Sequence, residues 1–192
     1  MAGSNKPLVT TSGLAGLANG RETDESTFGA RPSEPATLAL VPQGVRAMVV
    51  RLASSVHDAG DHGFVPYLIQ VAREKGQAAY IGDGQHRWAA VHRLDAARLY
   101  RLALEQGEAG ARYHGVGDEG IPFRELAEEI GRHLNVPVVS IPAEEAPAHF
   151  GWMARFAGLN LTGSSELTQQ RLGWQPTHIG LLADMEANYF GG

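Results

Sequence analysis

Two stretches carry residue types that could do chemistry. The first, Ser54-Ser55-Val56-His57-Asp58-Ala59-Gly60-Asp61-His62-Gly63, sets two imidazoles and two carboxylates within six positions. Neutral imidazole and carboxylate oxygen suit zinc or iron, but such sites take three or four converging ligands spread over rigid elements, and no H-E-x-x-H or comparable helical spacing occurs. A loop turned toward a small-molecule ligand is the stronger reading, a solvated turn the alternative, and no metal is expected. The second stretch, Gly82 to Tyr100, runs GDGQHRWAAVHRLDAARLY. A polar turn leads through the apolar Trp88 to Val91 run into a helix. Asp95 is expected as its N-cap, with Leu94 and Leu99 at the staple positions, because a carboxylate there accepts bonds from the free amides of the first turn. Arg87, His92 and Arg93 would then stand at the rim of a strand-to-helix junction, where rigid backbone lets side chains reach a ligand.

A third pattern is weaker. Gly13, Gly16 and Gly20 follow a short β-branched run, Leu8 to Thr11, as glycines do where backbone amides cradle a pyrophosphate. The spacing is G-x-x-G-x-x-x-G, no amphipathic helix follows, and no second strand ends in an acidic residue at the required distance. An ordinary glycine-rich loop over residues 13–32 is the expectation.

These residues need elements to hold them. Leu8 to Thr11 reads as a buried strand. Glu34 to Val41 can make only a short helix, entered through Ser33 and Pro35 and stopped by Pro42 and Gly44. Val45 to Leu52 has the unbroken apolar centre of a strand covered on both faces of a parallel sheet, and such strands carry function at their carboxyl ends. Val65 to Lys75 is an amphipathic helix stopped by Gly76, and Ala78 to Ile81 a short strand. The Asp95 helix runs to about Gln106. Ala111 to Val116 reads as a strand, and Pro122 to Leu134 as a helix with Glu125, Glu128 and Glu129 on its outer face. Pro137 to Ile141 makes a peripheral strand and Ala143 to Phe156 a helix. Ser164 to Leu172 makes another, capped by Ser164 or Ser165 and ended at Gly173, with Trp174 folding back. Thr177 is expected to cap a last helix with Leu181, Leu182 and Met185 inward. The order is strand-helix alternation first and helices later, an α/β chain without repeats.

Composition narrows the partners. The chain of 192 residues supports one domain with a real core. Lys and Arg total 16 against 21 for Asp and Glu, a formal charge of −5 with no basic block, so no nucleic-acid partner is expected. With no cysteine there is no disulfide frame and no thiolate metal site. The first residues lack a signal-peptide pattern and no apolar run approaches a membrane span, so a soluble, untargeted, cytoplasmic protein is expected.

Four segments in order carry a resemblance: the Leu8 to Thr11 strand ending in Ser-Gly; the Ala47 to Leu52 strand followed by Ser-Ser-Val-His; G-D-G-x-x-R-W-x-x-V-H-R-L-D-A-A-R; and R-L-G-W-Q-P. From Pro7 to about Phe190 the chain resembles the later part of NAD(P)-dependent epimerase/dehydratase proteins of the short-chain dehydrogenase/reductase superfamily, extended or atypical branch. The resemblance implies the C-terminal part of a Rossmann-like parallel sheet (residues 7–60, strands five and six) with a helix-rich small substrate domain (mostly 61–192), and NAD or NADP as cofactor. It places Thr11 or Ser12 near the catalytic hydroxyl position, and Ser12, Ser54, Ser55, Val56 and His57 beside the nicotinamide. Arg87 matches an arginine that pairs with the diphosphate of nucleotide sugars, chemistry suited to a guanidinium fork. His57, His62, Phe64, Arg87, Trp88 and His92 form the expected substrate wall, although for His92 a packing or capping role competes.

The departures matter as much. The chain begins at strand five, without room for the glycine-fingerprint half, and is read as truncated, so its own cofactor binding is in doubt. The family's Tyr-x-x-x-Lys pair, in which an ammonium lowers a phenol's pKa, is absent: Tyr67, Tyr80, Tyr100 and Tyr113 are followed four positions on by Val71, Gly84, Leu104 and Gly117, and the only lysines are Lys6 and Lys75. Three readings follow: a family oxidoreductase or epimerase, a non-catalytic small-molecule binding or regulatory protein, and an enzyme using His57 or His62 as acid and base. A sheet that starts at strand five would expose an edge, so a homo-oligomer or a covering partner is expected.

Overall fold

The computed structural model describes residues 2–16 and 32–191. The Gly20 position of the glycine pattern and most of the loop expected over 13–32 lie outside them. Pro7–Gly13 (β1), Arg46–Leu52 (β2) and, further along, Arg112–Gly115 (β6) form a parallel sheet in the order β1-β2-β6. Register pairs Ser12 with Arg51 and Arg51 with His114 across its three strands. The apolar centre of β2 is buried on both faces, as its Ala-Met-Val-Val run requires. Between β1 and β2 stands the six-residue helix Ser33–Leu38 (α1).

A second sheet joins Ser55–His57 (β3), Arg87–His92 (β5) and Asp118–Pro122 (β7) in the order β3-β5-β7, with β3 parallel and β7 antiparallel to β5. Neither β3 nor β7 is foreseen from the sequence. Each is short, and Asp118-Glu119-Gly120 has none of the β-branched character that marks a strand. A third pair, Ala78–Ile81 (β4) and Val138–Ile141 (β8), runs parallel. The helix Phe64–Lys75 (α2) ends at Gly76, whose φ of 68° is the left-handed conformation that closes a helix. Arg93–Gln106 (α3) and Phe123–Leu134 (α4) complete the long helices. The bands expected at β4, α2 and α4 are present within a residue or two.

Three expectations fail. Ala143 to Phe156 is not one helix: Ala146–Phe150 (α5) and Ala154–Ala157 (α6) are separate, because Gly151 takes φ 57° and ψ −132° between them. Glu166–Leu172 (α7) and Leu181–Asn188 (α8) form, but Thr177 does not cap α8; the backbone N–H of Leu181 donates to Asp118 Oδ2 at 2.8 Å, a cap supplied from another strand. Leu94 is half-exposed and staples nothing.

Two apolar cores result. One gathers α2, α4, β4, α5 and α8 around Trp88, Phe123 and Phe150; the other gathers β2, β6 and α3 around Tyr113 and Trp174. β5 lies between them: Trp88 and Ala90 belong to the first and Ala89 and Val91 to the second. Among the described residues no helix is long and apolar enough to cross a membrane.

One charge pair is sealed inside the first sheet. Arg51 is fully buried and donates to both oxygens of Glu34, at 3.0 and 2.7 Å, while its Nη1 lies 3.3 Å from His114 Nε2. Burial alone would raise the Glu34 carboxyl; hydrogen bonding from Arg51 and Ser12 and the charges of Arg51 and Arg112 outweigh it and hold it below its ordinary value. Its stabilisation is therefore complete above the unfolded value of 4.5 and lost as pH falls through the depressed folded one. Glu34→Ala leaves a guanidinium buried without its carboxylate and is expected to cost about 3–5 kcal/mol in urea unfolding at neutral pH. A loss under about 1 kcal/mol would mean that water reaches Arg51.

Candidate functional site

The parallel register of β3 and β5 sets His57 opposite His92. Their rings meet edge to face with centroids 5.4 Å apart, and His178 stacks on the other side of His92 at 4.5 Å and 7°. Each imidazole has a carboxylate. His57 Nδ1 lies 2.8 Å from Asp184 Oδ2, both groups buried; His178 Nδ1 lies 3.0 Å from Asp95 Oδ1; and His92 Nε2 lies 3.7 Å from Asp58 Oδ1. Asp58 also takes a 2.8 Å bond from Arg93, and Asn188 donates to Asp184 Oδ1 at 2.6 Å. His57, His92, His178 and Asp95 border a cavity of about 150 Å³ that Gly117, Pro176 and Gly180 also line.

The junction that holds these rings differs from the sequence reading. His92, not Asp95, is the N-cap of α3: its Nδ1 accepts the Leu94 amide at 3.2 Å. Asp95 is the third residue of the helix, almost fully buried and turned away from the first-turn amides. It accepts from the amides of Thr177 and His178, both at 3.0 Å, from Thr177 Oγ1 at 3.2 Å and from Arg98 at 3.1 Å. Trp174 Nε1 donates to the Asp95 carbonyl at 2.9 Å. Burial would raise the Asp95 carboxyl, but the bonds from His178, Arg98 and Thr177 dominate and hold it down at about 2.

Asp58, His92 and Asp184 offer ligand atoms within 4.8 Å of one another, which revives the metal question. Burial lowers the His92 pKa, against the opposing pull of Asp58. A neutral ring whose Nδ1 accepts the Leu94 amide carries its proton on Nε2 and keeps no lone pair for a cation. The chemistry of this donor set does not suit a metal.

Arg87 and His92 do not share a rim. They stand at opposite ends of the six-residue β5, roughly 16 Å apart at the usual strand rise. Arg87 is exposed, spends Nη1 on the Gly120 carbonyl at 3.0 Å, and lines a cleft of about 920 Å³ with Glu119, Thr162, Ser164, Glu166 and Gln169. Trp88 is fully buried and packs against Phe64 and Phe123, so its ring belongs to the core and not to a ligand wall. Phe64 adds contacts to Trp152 and Phe156. His62 is exposed and makes none of the contacts of the His57 group.

The residues expected beside a cofactor sit where β1 to β3 end. Ser12, Ser54 and Ser55 have buried hydroxyls without a standard hydrogen bond among the described residues, although Ser12 lies close enough to Glu34 to help depress it. Thr11 points to the opposite face and shares a 2.7 Å bond with Tyr100. Val56 is half-buried between its serine and histidine neighbours. Sequence reasoning missed Asp184, His178 and Asp118. For Asp184 a signal existed: it stands three positions after Leu181 and one before Met185, an acid on an otherwise apolar stripe.

No family model matches the chain. An uncharacterized protein of Schizosaccharomyces pombe is 48% identical over 197 residues, covering 99% of this chain and 67% of that protein. An uncharacterized protein of Saccharomyces cerevisiae is 45% identical, covering 98% and 66%. The UDP-glucose 4-epimerase of Corynebacterium glutamicum is 35% identical over 131 residues, covering 64% of this chain and 37% of the enzyme. The chain thus spans about two thirds of the length of the first two relatives. Among solved structures, the dTDP-glucose 4,6-dehydratase of Streptomyces venezuelae with NAD bound superposes with a TM-score of 0.72 at 18% identity, over 95% of this chain and 60% of that one. A nucleoside-diphosphate-sugar epimerase of Pseudomonas aeruginosa gives 0.69 at 16%, covering 95% and 64%. RMD of the same organism, complexed with NADPH, gives 0.64 at 19%, covering 95% and 67%. At these identities the structures share a fold.

The depressed carboxyl of Asp95 makes a stability claim with a definite sign. Its contribution is complete above the unfolded value of 3.8 and fades as pH falls toward 2. Asp95→Asn is expected to lower stability at pH 6 by on the order of 2 kcal/mol and to flatten the urea midpoint between pH 5 and pH 3. A variant as pH-sensitive as the parent would assign that dependence elsewhere.

Proposed function

We propose that the chain is a member of the NAD-dependent epimerase/dehydratase branch of the short-chain dehydrogenase/reductase superfamily, whose fold it shares, and that it acts as an NAD(P)-dependent oxidoreductase on a nucleotide sugar. The observation that carries the substrate class is Arg87. One of its donors is spent on Gly120, and the others have no protein partner among the described residues. A guanidinium so placed in a wide cleft suits the oxygens of a diphosphate. The exposed carboxylates of Glu119 and Glu166 across the same cleft repel phosphate but accept bonds from sugar hydroxyls, so they favour one orientation of such a ligand.

The buried hydroxyls of Ser12, Ser54 and Ser55 support the cofactor class, since they offer donors and acceptors at the carboxyl ends of parallel strands, the usual place for a nucleotide in this architecture. They fit the amide-bearing end of a nicotinamide, with Val56 and His57 next in the chain. When bound, that group supplies hydride exchange; the protein's part is to hold the ligand and to handle its proton. NAD and NADP are both compatible, and the cytoplasm is the setting this reading takes.

Association belongs to the same proposal. β1 pairs only with β2 among the described residues, which leaves its other edge for a second copy or another chain. Sedimentation is expected to give a species larger than one chain; a monomer at micromolar concentration would count against it. For the substrate site, Arg87→Ala is expected to weaken UDP-glucose binding by about tenfold in calorimetry, with the parent's affinity falling as salt rises. Equal affinity in the two proteins would remove Arg87 from the site.

A further inference from the structure

Interconverting a hydroxyl and a carbonyl requires a group that takes and returns a proton. We propose that His57, held in one tautomer by Asp184, is the proton-transfer group of this chain and serves a ligand hydroxyl entering the cavity between β3, β5 and the 176–180 segment. The assignment deepens the oxidoreductase reading and rests on it.

The geometry fixes the tautomer. Asp184 is fully buried, and its two oxygens are engaged by Asn188 Nδ2 at 2.6 Å and by His57 Nδ1 at 2.8 Å. A carboxylate only accepts, so the neutral His57 ring carries its proton on Nδ1 and keeps the lone pair of Nε2. Nε2 has no hydrogen-bond partner among the described residues, and the ring borders the 150 Å³ cavity. A base oriented by a buried acid beside a small cavity is the arrangement that proton transfer needs.

The neighbouring imidazoles are less suited. His92 has spent Nδ1 on the Leu94 amide and presents Nε2–H toward Asp58. His178 also leans on a carboxylate, but its side chain is 38% exposed and Asp95 is shared with Arg98, Thr177 and a backbone amide. His57 alone is both buried and matched to one buried carboxylate. The charged groups around it are Asp184 from α8, Asp58 beside it in the chain, Asp95 from α3 and Asp118 from β7, with the rings of His92 and His178 between. The step itself is one proton: the O–H bond of the ligand hydroxyl breaks, an N–H bond forms at Nε2, and the new positive charge stands against Asp184. In the reverse direction Nε2 returns it. His57 is the catalytic residue of this assignment and Asp184 a positioning residue.

Nitrogen-15 spectra of the imidazoles decide it without any turnover. Above its titration, His57 is expected to show a protonated Nδ1 and an unprotonated Nε2, and Asp184→Asn to lower its proton affinity about tenfold or more. Addition of UDP-glucose is expected to shift the Nε2 resonance. A proton resident on Nε2 overturns the assignment, as does a titration identical in Asp184→Asn. Should that variant not fold, the parent's tautomer and its response to UDP-glucose decide alone. UDP-glucose that binds without moving Nε2 also overturns it while leaving the nucleotide-sugar reading intact. Failure of UDP-glucose to bind, with the tautomer and the Asp184→Asn shift as expected, sinks the nucleotide-sugar reading and supports the dyad.

Discussion

A single buried carboxylate, Asp95, joins parts of the chain that are some eighty residues apart. It draws Thr177 and His178 onto the start of α3, and the carbonyl of the same residue anchors the Trp174 indole. An ionised group in the interior is tolerable only when its lone pairs are filled by good donors. Here two backbone amides, a hydroxyl, a guanidinium and an imidazole fill them. The segment between α7 and α8 has no regular structure of its own, so these bonds take the place of a ladder. Through them His178 is brought to stack on His92, and α8 follows with Asp184.

From that constraint the rest of the site follows. β5 is buried on both faces because it divides two cores, so its two ends are the places where polar side chains can leave the apolar interior. At one end His92 caps α3 and meets His57 across the parallel pairing with β3. At the other Arg87 opens on the wide cleft. The small cavity of imidazoles and the large cleft of Arg87 are therefore separate places joined by one strand. Asp118 of β7 borders both, and it also caps α8. A rigid strand between His57 and Arg87 holds their separation fixed, as the proposed site for a long ligand needs.

What could be read in the sequence was what local rules determine. The buried run of β2, the amphipathic stripes of α2 and α4 and the glycine stop at Gly76 each follow from periodicity or from a single backbone conformation. Of the candidate site, Arg87, His57 and His92 stand out in the sequence by type and by their place near strand ends. Long-range bonding was not legible. Asp95 has the spacing of a cap, and only a partner from residues 177 and 178 turns it elsewhere. Thr177 was likewise assigned to the helix after it when its hydrogen bonds run back to α3. β7 escaped because its pairing with β5, not its own composition, makes it a strand. The break at Gly151 shows the same limit, since a helical pattern does not reveal that a left-handed residue will interrupt it.

The central claim is that the Asp95 carboxylate holds the 174–180 segment on the strand-helix junction, and native-state hydrogen exchange tests it directly. The amides of Thr177 and His178 lie in irregular chain near the surface, where exchange would ordinarily be fast. If their bonds to Asp95 organise this region, both amides exchange only with the global unfolding of α3 and share its denaturant dependence. Exchange of these two amides near the free-peptide rate, while α3 stays protected, would contradict the account.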